Sequence, residues 1–232
     1  MKKQLIVAEK FYSIQGEGQT MGIPAVFLRL SACNLLCKSK NWICDSIASW
    51  QPKGTKTPFE DVLPEHLFDE IEKGAHLVVT GGEPLLQQKH LKLYFEWFYE
   101  TYGFLPTIEV ETNGTIVPNE YLSEIVEFWN CSPKLANSGE TYERRVNQPA
   151  IRMIASQRNK IFKFVISKPE DFLDILADYP FIDIRNIVLM PAGESRHELH
   201  KTRKIVVELC KRYSIRYSDR LQVVAWNQAL GV

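Results

Sequence analysis

Residues 31–45 read Ser-Ala-Cys-Asn-Leu-Leu-Cys-Lys-Ser-Lys-Asn-Trp-Ile-Cys-Asp, and they follow directly on the apolar run Ala25-Val-Phe-Leu-Arg-Leu30. The apolar run is typical of a buried strand, and the loop that leaves it, which we call the cysteine loop, carries Cys33, Cys37 and Cys44. Three thiolates can bind three irons of a four-iron cluster and leave the fourth iron open to a ligand, whereas a site with four thiolates is usually closed. The loop therefore indicates an iron–sulfur site with one open iron.

Strand-like and helix-like segments alternate along the rest of the chain. The candidate strands are short apolar runs, several of them near-continuous, as expected of parallel strands that are covered on both faces. They are Leu5–Glu9, Ala25–Leu30, His76–Thr80, Thr107–Glu111, Ile161–Ile166, Asn186–Met190 and Leu221–Ala225. Helical spacing relates Leu91, Phe95, Phe98 and Tyr102, and a second such pattern begins at Ile205. The alternation predicts an α/β fold with a parallel sheet, open or curled toward a barrel.

Prolines and one polar stretch mark boundaries between these segments. Pro64, Pro118 and Pro169 are predicted to open helices, since proline suits the first helical turn. Residues 46–60, rich in Pro, Lys and Thr, are predicted to form a surface excursion. No repeat, low-complexity tract or linker divides the chain, so residues 1–232 are expected to form a single domain.

Composition and charge argue against several classes of protein. The chain is 45% hydrophobic and carries 28 basic and 28 acidic side chains, so no long-range field gathers nucleic acid or an anionic membrane. No apolar run approaches the roughly 20 residues that cross a bilayer, and the N-terminus lacks the pattern of a signal peptide. We expect a cytoplasmic protein without nucleic-acid or membrane partners, in which clustered cysteines indicate metal binding or catalysis. Cys131 and Cys210 stand alone in apolar surroundings and are predicted to be structural.

Turn and polar residues recur where the strand-like segments end. Besides the cysteine loop, they are Gly81-Gly-Glu-Pro84, Thr112-Asn-Gly114, Ser132-Pro-Lys134 and Pro191-Ala-Gly193. Ligands of parallel α/β folds bind at the carboxyl ends of the strands, so these motifs together predict a binding site. Glu83 can offer a carboxylate to a cation such as an α-amino group; the alternative is an ordinary strand-to-helix turn in which its charge favours the helix N-terminus.

The chain resembles the radical S-adenosylmethionine enzymes, which carry a three-cysteine loop after the first barrel strand and Gly-Gly-Glu-Pro after the second. Within that superfamily it is similar to one branch, the 7-carboxy-7-deazaguanine synthase family. The segments that match in order are Ser13–Gly18, Arg29, Cys33–Leu35, Cys44–Ser46, Thr80–Leu85, Glu111–Gly114, Ser132–Lys134, Leu189–Pro191 and Gly231–Val232. The resemblance spans the whole chain and implies a partial TIM-like βα barrel of the radical S-adenosylmethionine type.

Two positions depart from the family pattern. Six residues separate Cys37 from Cys44, where the family has two. A longer loop closes at a small extra entropic cost, so the insertion is compatible with a cluster. The second departure is Gln222, which stands where many relatives have His, so any substrate contact made by that His is changed here.

The resemblance implies a radical reaction. A 4Fe–4S cluster on the three cysteines binds S-adenosylmethionine at its open iron, and reduction of the cluster cleaves the sulfonium to a 5′-deoxyadenosyl radical. That radical takes a hydrogen from 6-carboxy-5,6,7,8-tetrahydropterin, whose ring contracts with loss of ammonia to 7-carboxy-7-deazaguanine, in 7-deazapurine (queuosine-type) biosynthesis. The implied partners are this small-molecule pterin, an external flavodoxin-like electron donor and a second copy of the chain in a homodimer.

Residue roles also follow from the resemblance, with no side chain implied as the radical-forming catalyst. The expected contacts of S-adenosylmethionine are Ile43, Asp45, Gly82, Glu83, Ser132, Pro133 and Lys134. The expected contacts of the pterin are Ile14, Gln15, Gly16, Arg29 and Thr80. Arg29 suits the substrate carboxylate because its guanidinium pairs with it bidentately, and Ser46 is the expected protein ligand of a Mg²⁺ ion at that carboxylate.

Plainer interpretations exist for several of these residues. Arg29 can neutralise a structural carboxylate, Ser46 can be a turn serine, and Gln15 and Glu17 can be solvated in a Gly-rich turn. Lys163 either points into the barrel or snorkels to its edge, and it is left unassigned.

Two other functions compete with the main one. A glycyl-radical activase shares the cysteines and Gly81–Pro84 but has no reason to carry Ser13–Gly18 or Arg29. A zinc-stabilised binding module more often pairs its cysteines as two Cys-x2-Cys halves, which this sequence lacks.

Overall fold

The computed structural model describes residues 2–39, 42–44, 46, 49–51 and 53–229. The strands in this part of the chain are β1 (Gln4–Ile14), β2 (Pro24–Leu30), β3 (Lys38–Ser39), β4 (Trp42–Ile43), β5 (Thr55–Pro58), β6 (His76–Gly81), β7 (Ile108–Thr112), β8 (Phe128–Cys131), β9 (Asn159–Ile166), β10 (Ile187–Pro191) and β11 (Arg216–Tyr217). Nine of these described strands form one sheet in the order β11-β10-β9-β8-β7-β6-β2-β1-β5, while β3 and β4 form a separate ladder.

The main sheet is mostly parallel and strongly curled. Every neighbouring pair from β2 to β11 is parallel, whereas β1 is antiparallel to both β2 and β5. Lys163 on β9 contacts Glu17, just beyond β1, although four strands lie between β9 and β1 in the sheet order. A flat sheet would hold these side chains far apart, since strands are about 4.8 Å from their neighbours. The sheet is therefore curled into an open barrel, and the predicted α/β fold with a parallel sheet is confirmed.

Helices cover the outside of the sheet and bury its apolar face. They are α1 (Phe59–Val62), α2 (Glu65–Glu72), α3 (Gln88–Tyr102), α4 (Glu120–Ile125), α5 (Tyr142–Arg145), α6 (Gln148–Ala155), α7 (Asp171–Asp178), α8 (Arg196–Tyr213) and α9 (Leu221–Trp226). None of the helices in the described ranges combines the length and apolarity that a bilayer span requires.

The helical pattern predicted around Leu91 places α3 against the core. Leu91, Phe95 and Phe98 are fully buried there, while Tyr102 at the last turn is partly exposed. Burying a large apolar side chain stabilises the fold by about 1.5–3 kcal/mol relative to leaving it in water. These three residues therefore hold the helix to the outer face of the sheet, which leaves the inner face free for polar side chains.

Several predicted boundaries are wrong. The segment predicted as the strand Leu221–Ala225 is α9, and the edge of the sheet is formed by the short β11 instead. A five-residue apolar run does not distinguish strand from helix by its pattern alone. The predicted surface excursion over residues 46–60 contains β5, which pairs with β1. The list of predicted strands also lacks β8.

The three prolines precede their helices instead of starting them. Pro64 is the N-cap residue of α2, and Pro118 and Pro169 lie two residues before α4 and α7. The N-cap of α4 is Asn119, whose side chain accepts a hydrogen bond from the amide of Leu122. The helices were thus predicted correctly, with starts one or two residues too early.

Candidate functional site

The predicted motifs meet at the carboxyl edge of the sheet. The amide of Glu83 donates to the carbonyl of Ala32 over 2.9 Å, which joins the end of β6 to the cysteine loop. The amide of Ser132 donates to the carbonyl of Thr112 over 2.7 Å, which joins the ends of β8 and β7. The sequence prediction that these loops share one rim is therefore confirmed.

The cysteine loop approaches β6 so closely that position 82 has no room for a side chain. A Cβ on Gly82 would lie 2.3 Å from the carbonyl oxygen of Ala32. Ala32 itself has a φ of 80°, in the left-handed region that costs a non-glycine residue on the order of 1 kcal/mol. The ladder of β3 and β4 then returns the chain, so that the amide of Cys44 donates to the carbonyl of Cys37 over 3.1 Å. Local strain and the close packing both fix the shape of the loop beside Cys33.

The three cysteines of the loop form no disulfide; Cys37 is buried, and Cys33 and Cys44 are partly buried. Burial raises the pKa of Cys33 to about 11 and that of Cys37 to about 12, and the neighbouring thiols act in the same direction. Asn113 reaches toward the sulfur of Cys33, with Nδ2 at 3.9 Å from Sγ. Among the described residues, no three Cys, His, Asp or Glu side chains are already assembled around one point. Cys33 and Cys37 are thus neutral near pH 7, and a cation is needed to hold them as thiolates.

Glu83 is fully buried at the same rim. Its carboxylate accepts hydrogen bonds from the amide of Asn113 (2.7 Å), the hydroxyl of Thr112 (2.8 Å) and the amide of Leu85 (3.0 Å). Burial raises the pKa of Glu83, while these donors and the nearby Lys134 favour its ionised form. The contact with Leu85 caps the short helix that follows. The plainer interpretation of Glu83, a residue of a strand-to-helix turn, therefore describes one of its roles. The three donors also fix the direction in which the carboxylate faces the cysteine loop.

A buried network of polar side chains occupies the interior of the barrel beneath this rim. The amide nitrogen of Gln15 donates to Glu109 over 2.6 Å and to Glu111 over 3.1 Å. Thr80 donates to Glu111 over 2.8 Å, and Thr20 donates to Glu109 over 2.6 Å. The amide of Asn130 and the ring of His76 also contact Glu109. Gln15 is therefore buried, so the plainer interpretation of it as a solvated turn residue does not hold.

A second part of the network surrounds Glu17. This carboxylate contacts the ammonium of Lys163, the guanidinium of Arg220 at 3.0 Å and the amide of Gln222 at 2.6 Å. Burial alone disfavours the charged form of Glu17, but Lys163 and Arg220 more than offset it and hold the pKa of the carboxyl well below its usual range. We use the name interior polar network for the following residues. They are Gln15, Glu17, Thr20, Thr80, Glu109, Glu111, Asn130, Lys163, Arg220 and Gln222.

Arg29 and Ser46 come together on one side of the rim. Nη1 of Arg29 lies 3.5 Å from Oγ of Ser46, while its Nε donates to Glu9 over 3.1 Å. The side chain of Glu9 is 39% exposed, so the pair is open to solvent on that side. The plain interpretation of Arg29 as the partner of a protein carboxylate thus holds in part, and the guanidinium still has donors that face Ser46.

No protein-family model matches the chain, but curated relatives do. A 7-carboxy-7-deazaguanine synthase of Halobacterium salinarum is 34% identical, over 97% of this chain and 91% of the relative. One of Pyrobaculum aerophilum is also 34% identical, over 97% of this chain and 96% of the relative. The chain belongs to the 7-carboxy-7-deazaguanine synthase family. The resemblance that the motifs carry is thereby confirmed, and with it the class of enzyme, for which a 4Fe–4S cluster and S-adenosylmethionine are expected.

A solved structure agrees with the fold of this family. The crystal structure of QueE from Escherichia coli has a TM-score of 0.66 to this chain, covers 94% of both chains and is 24% identical. The agreement supports the predicted partial barrel of the radical S-adenosylmethionine type. At this identity it bears on the fold alone.

Most residues that the family resemblance predicts for the site lie at the rim or just below it. Beside the cysteine loop, β6 is followed directly by Gly82 and Glu83, and β8 is followed directly by Ser132, Pro133 and Lys134. Arg29 and Thr80 are paired near the carboxyl ends of β2 and β6. Ile14 ends the antiparallel β1 and pairs with Pro24 at the start of β2, so Ile14, Gln15 and Gly16 come toward the site from the amino edge of the sheet. Asp45, Gly231 and Val232 lie outside the described residues, as does the side chain of Ile43.

Sequence reasoning missed the charged part of the interior polar network. Lys163 was left unassigned, and Glu109 and Arg220 were given no role, although all three are buried. One signal was available: Glu109 and Glu111 are two residues apart on β7, so both face the same side of the sheet. Two carboxylates on one face of a buried strand require cations or donors from elsewhere, and Lys163 is the buried cation of β9.

Proposed function

We propose that this chain is a 7-carboxy-7-deazaguanine synthase, which converts 6-carboxy-5,6,7,8-tetrahydropterin to 7-carboxy-7-deazaguanine with loss of ammonia. The observation that carries the proposal is the position of three cysteines outside any disulfide beside Glu83, above a buried polar interior. Identity of 34% with curated synthases over nearly the whole chain supports the same reaction.

The cysteine loop fits a 4Fe–4S cluster in the chemistry of its donors. Cys33, Cys37 and Cys44 form no disulfide, and Cys33 and Cys37 favour their neutral form without a cation. These residues would hold three irons, and Asn113 is placed to donate a hydrogen bond to the sulfur of Cys33. When bound, the cluster supplies the electron that cleaves S-adenosylmethionine and the position for that cofactor at its open iron.

The rim beside the loop would hold S-adenosylmethionine. Gly82 exposes main chain where a side chain would clash, and Glu83 provides a buried carboxylate for the α-amino group. Ser132, Pro133 and Lys134 are proposed to contact the adenosyl part. The carbonyl of Lys134 is fixed by Arg145 at 3.1 Å and by the hydroxyl of Tyr179 at 2.7 Å, which makes this segment rigid. Asp45 and Ile43 complete the proposed set on the cysteine loop.

The pterin is proposed to bind between Arg29 and the interior polar network. Arg29 would pair with the substrate carboxylate, and Ser46, whose hydroxyl lies 3.5 Å from this guanidinium, would ligate a Mg²⁺ ion that shares that carboxylate. Thr80 and Ile14 would border the ring. This arrangement places a fixed positive charge at one end of the substrate and hydrogen-bonding groups at the other.

Gln15 and Gly16 would shape the pocket more than they reach into it. The side chain of Gln15 already donates to two carboxylates and accepts from the amide of Glu17 at 3.2 Å. The carbonyl of Gly16 accepts from the amide of Leu221 at 2.9 Å, which anchors the turn to the C-terminal segment. Their proposed role is to hold the turn that forms the wall of the pterin site.

The remaining predictions concern organisation and partners. A single domain, a homodimer, a flavodoxin-like electron donor and a cytoplasmic location stay predictions. Cys131 and Cys210 are both buried and form no disulfide, which agrees with their predicted structural role.

Product formation tests the proposed function. Anaerobically reconstituted protein is incubated with the tetrahydropterin, S-adenosylmethionine and dithionite. The deazaguanine product is identified by mass spectrometry, and the ammonia is quantified separately. We expect 7-carboxy-7-deazaguanine and ammonia in equal amounts. A cluster-loaded protein that cleaves S-adenosylmethionine but leaves the pterin unchanged would contradict the proposal and favour a different radical enzyme, such as an activase.

A further inference from the structure

A clamp formed by Glu140 and Arg144 holds the cysteine loop from outside. Glu140 Oε1 accepts a hydrogen bond from the amide of Leu36 over 2.5 Å, and its Oε2 pairs with Nε of Arg144 over 2.8 Å. Arg144 Nη2 in turn donates to the carbonyl of Asn34 over 2.8 Å. Both main-chain groups that the pair contacts lie between Cys33 and Cys37. The clamp therefore closes a ring of hydrogen bonds around the first half of the loop.

The clamp is more than a surface ion pair. The side chain of Glu140 is only 8% exposed, whereas exposed pairs of this spacing contribute little. The turn before it is also pressed against the loop: a Cβ on Gly139, which has a φ of 80°, would lie 2.2 Å from the carbonyl oxygen of Lys38. The segment from Gly139 to Arg144 is thus fitted to the main chain of residues 34–38.

Elements other than the clamp hold the two ends of the loop. The amide of Cys33 donates to the carbonyl of Trp50, and the carbonyl of Cys37 accepts from Cys44. Between these ends, Leu36 is 57% exposed and contributes no packing that would fix its backbone. Glu140 is the group that holds the amide of Leu36, so it determines the path of the chain from the first thiol to the second.

The carboxylate of Glu140 also acts on the thiols through its charge. Its Oε1 accepts from the amide of Leu36, the residue that precedes Cys37, so a negative charge on a side chain that is largely buried lies beside the second thiol. A negative charge beside a ligand of a cluster would disfavour the addition of an electron, because the net charge around such a cluster sets its potential.

We propose that Glu140, held by Arg144, is a positioning residue for the iron–sulfur site, which fixes the Cys33–Cys37 segment and keeps the reduction potential of the bound centre low. This inference rests on the proposed function, because it requires that the loop binds the cluster. It adds two roles outside the ligands: one is geometric and depends on the hydrogen bond, and the other is electrostatic and depends on the charge.

Two substitutions separate these roles, and a third provides the control. E140Q keeps an acceptor for the amide of Leu36 but removes the charge, whereas E140A removes both. E143Q removes a charge three residues further on, at an exposed position of α5, the helix that also carries Arg144. Wild type and the three variants are reconstituted anaerobically, and their folding is compared by circular dichroism.

The first measurement is the rate at which a chelator removes iron from each reconstituted protein. We expect E140A to lose iron about tenfold faster than wild type, as for other groups that orient metal ligands, and E140Q and E143Q to stay near the wild-type rate. The second measurement is the midpoint potential from an electron paramagnetic resonance titration. We expect E140Q to shift to a more positive potential and E143Q to match wild type.

The outcomes distinguish this inference from the proposed function. Release of iron from E140A at the wild-type rate would overturn the geometric role, and equal potentials in E140Q and E143Q would overturn the electrostatic one. In both cases wild type and E143Q still carry the centre. Failure of wild type and E143Q to assemble any iron–sulfur centre would instead overturn the proposed function, and this inference with it.

Discussion

The cysteine loop and the interior polar network are adjacent but differ in how their charges are balanced. In the network, each carboxylate has its partners within the chain, as Glu17 has Lys163 and Arg220. In the loop, Cys37 is buried and Cys33 is partly buried, and this burial raises their pKa values far above the ordinary value of about 8.5. Glu17 is thus balanced by cations of the chain itself, whereas Cys33 and Cys37 need a cation from outside the chain before they ionise.

This difference assigns separate tasks to the two regions. The loop is built to take up a metal centre, and its stability is linked to that uptake. The network is held by ion pairs and hydrogen bonds within the chain, so we expect it to keep its shape whether or not the cluster is bound. The following predictions test whether function depends on the loop and stability on the network.

The largest effect is expected when a thiol of the loop is removed. Cys37→Ala should abolish cluster assembly and lower the rate of product formation by more than about 100-fold, because even groups that only orient metal ligands are worth about 10–100-fold. Iron and sulfide content and product formation measure the effect. Cys210→Ala is the matched control, since Cys210 is also buried and free but lies on α8. Equal losses in both variants would show that cysteine removal acts through folding alone.

Loss of a network cation is expected to affect stability more than cluster assembly. Lys163→Met leaves the buried Glu17 with one cation fewer and should lower the free energy of unfolding by about 3 kcal/mol, as for other broken buried pairs. Urea denaturation of the metal-free protein measures the change.

Lys211→Met provides the control for this prediction. Lys211 pairs with Glu208 on the surface, and its side chain is 67% exposed, so its loss should change the free energy of unfolding by less than about 1 kcal/mol. If both substitutions lowered the free energy of unfolding equally, the ion pair of Lys163 with Glu17 would contribute no more to stability than an exposed ion pair.

Acid should weaken the network through Glu17. Its pKa is lowered in the folded protein, so its contribution is present above the unfolded carboxyl pKa of about 4.3 and is lost as pH falls toward the folded value. Wild type should therefore lose more stability between pH 7 and pH 3.5 than Lys163→Met, in which the pKa of Glu17 is closer to normal. Urea midpoints at the two pH values test this; parallel losses would contradict it.

Raising the pH should lower the stability of the metal-free protein through the loop thiols, and this effect should be the smallest of those predicted here. The pKa values of Cys33 and Cys37 are raised in the folded protein to about 11 and about 12, so their contribution is present below the unfolded value of about 8.5 and is lost as pH rises above it. Cys37→Ser removes one of the two titrating groups. Its urea midpoint should fall less between pH 7 and pH 9.5 than that of wild type, and an equal fall would argue against buried thiols.

The same contrast explains how far the sequence predicts the structure. The rim is predictable because its residues form short motifs that are recognisable in the sequence. Cys33, Cys37 and Cys44 share one loop, and Gly82 and Glu83 follow a predicted strand. The interior polar network is not local. Lys163 and Glu17 are brought together only by the curl of the sheet, which depends on the packing of all the strands.

The errors in the fold have a related cause. Leu221–Ala225 has the apolar composition of a strand, but the last place in the sheet is taken by β11, and the segment forms α9 against the turn that holds Gly16. The helix α3, in contrast, was predicted well because its repeat extends over several turns. Long periodic patterns are more informative than short apolar runs.

The proposed function depends above all on three loop thiols that hold an iron–sulfur centre with one iron open to S-adenosylmethionine. Electron paramagnetic resonance of the reduced, reconstituted protein, recorded before and after addition of S-adenosylmethionine, tests this. We expect a 4Fe–4S signal that changes on addition, because the cofactor binds an iron that lacks a protein ligand. A protein that shows no such signal, or a signal that S-adenosylmethionine leaves unchanged, would contradict it.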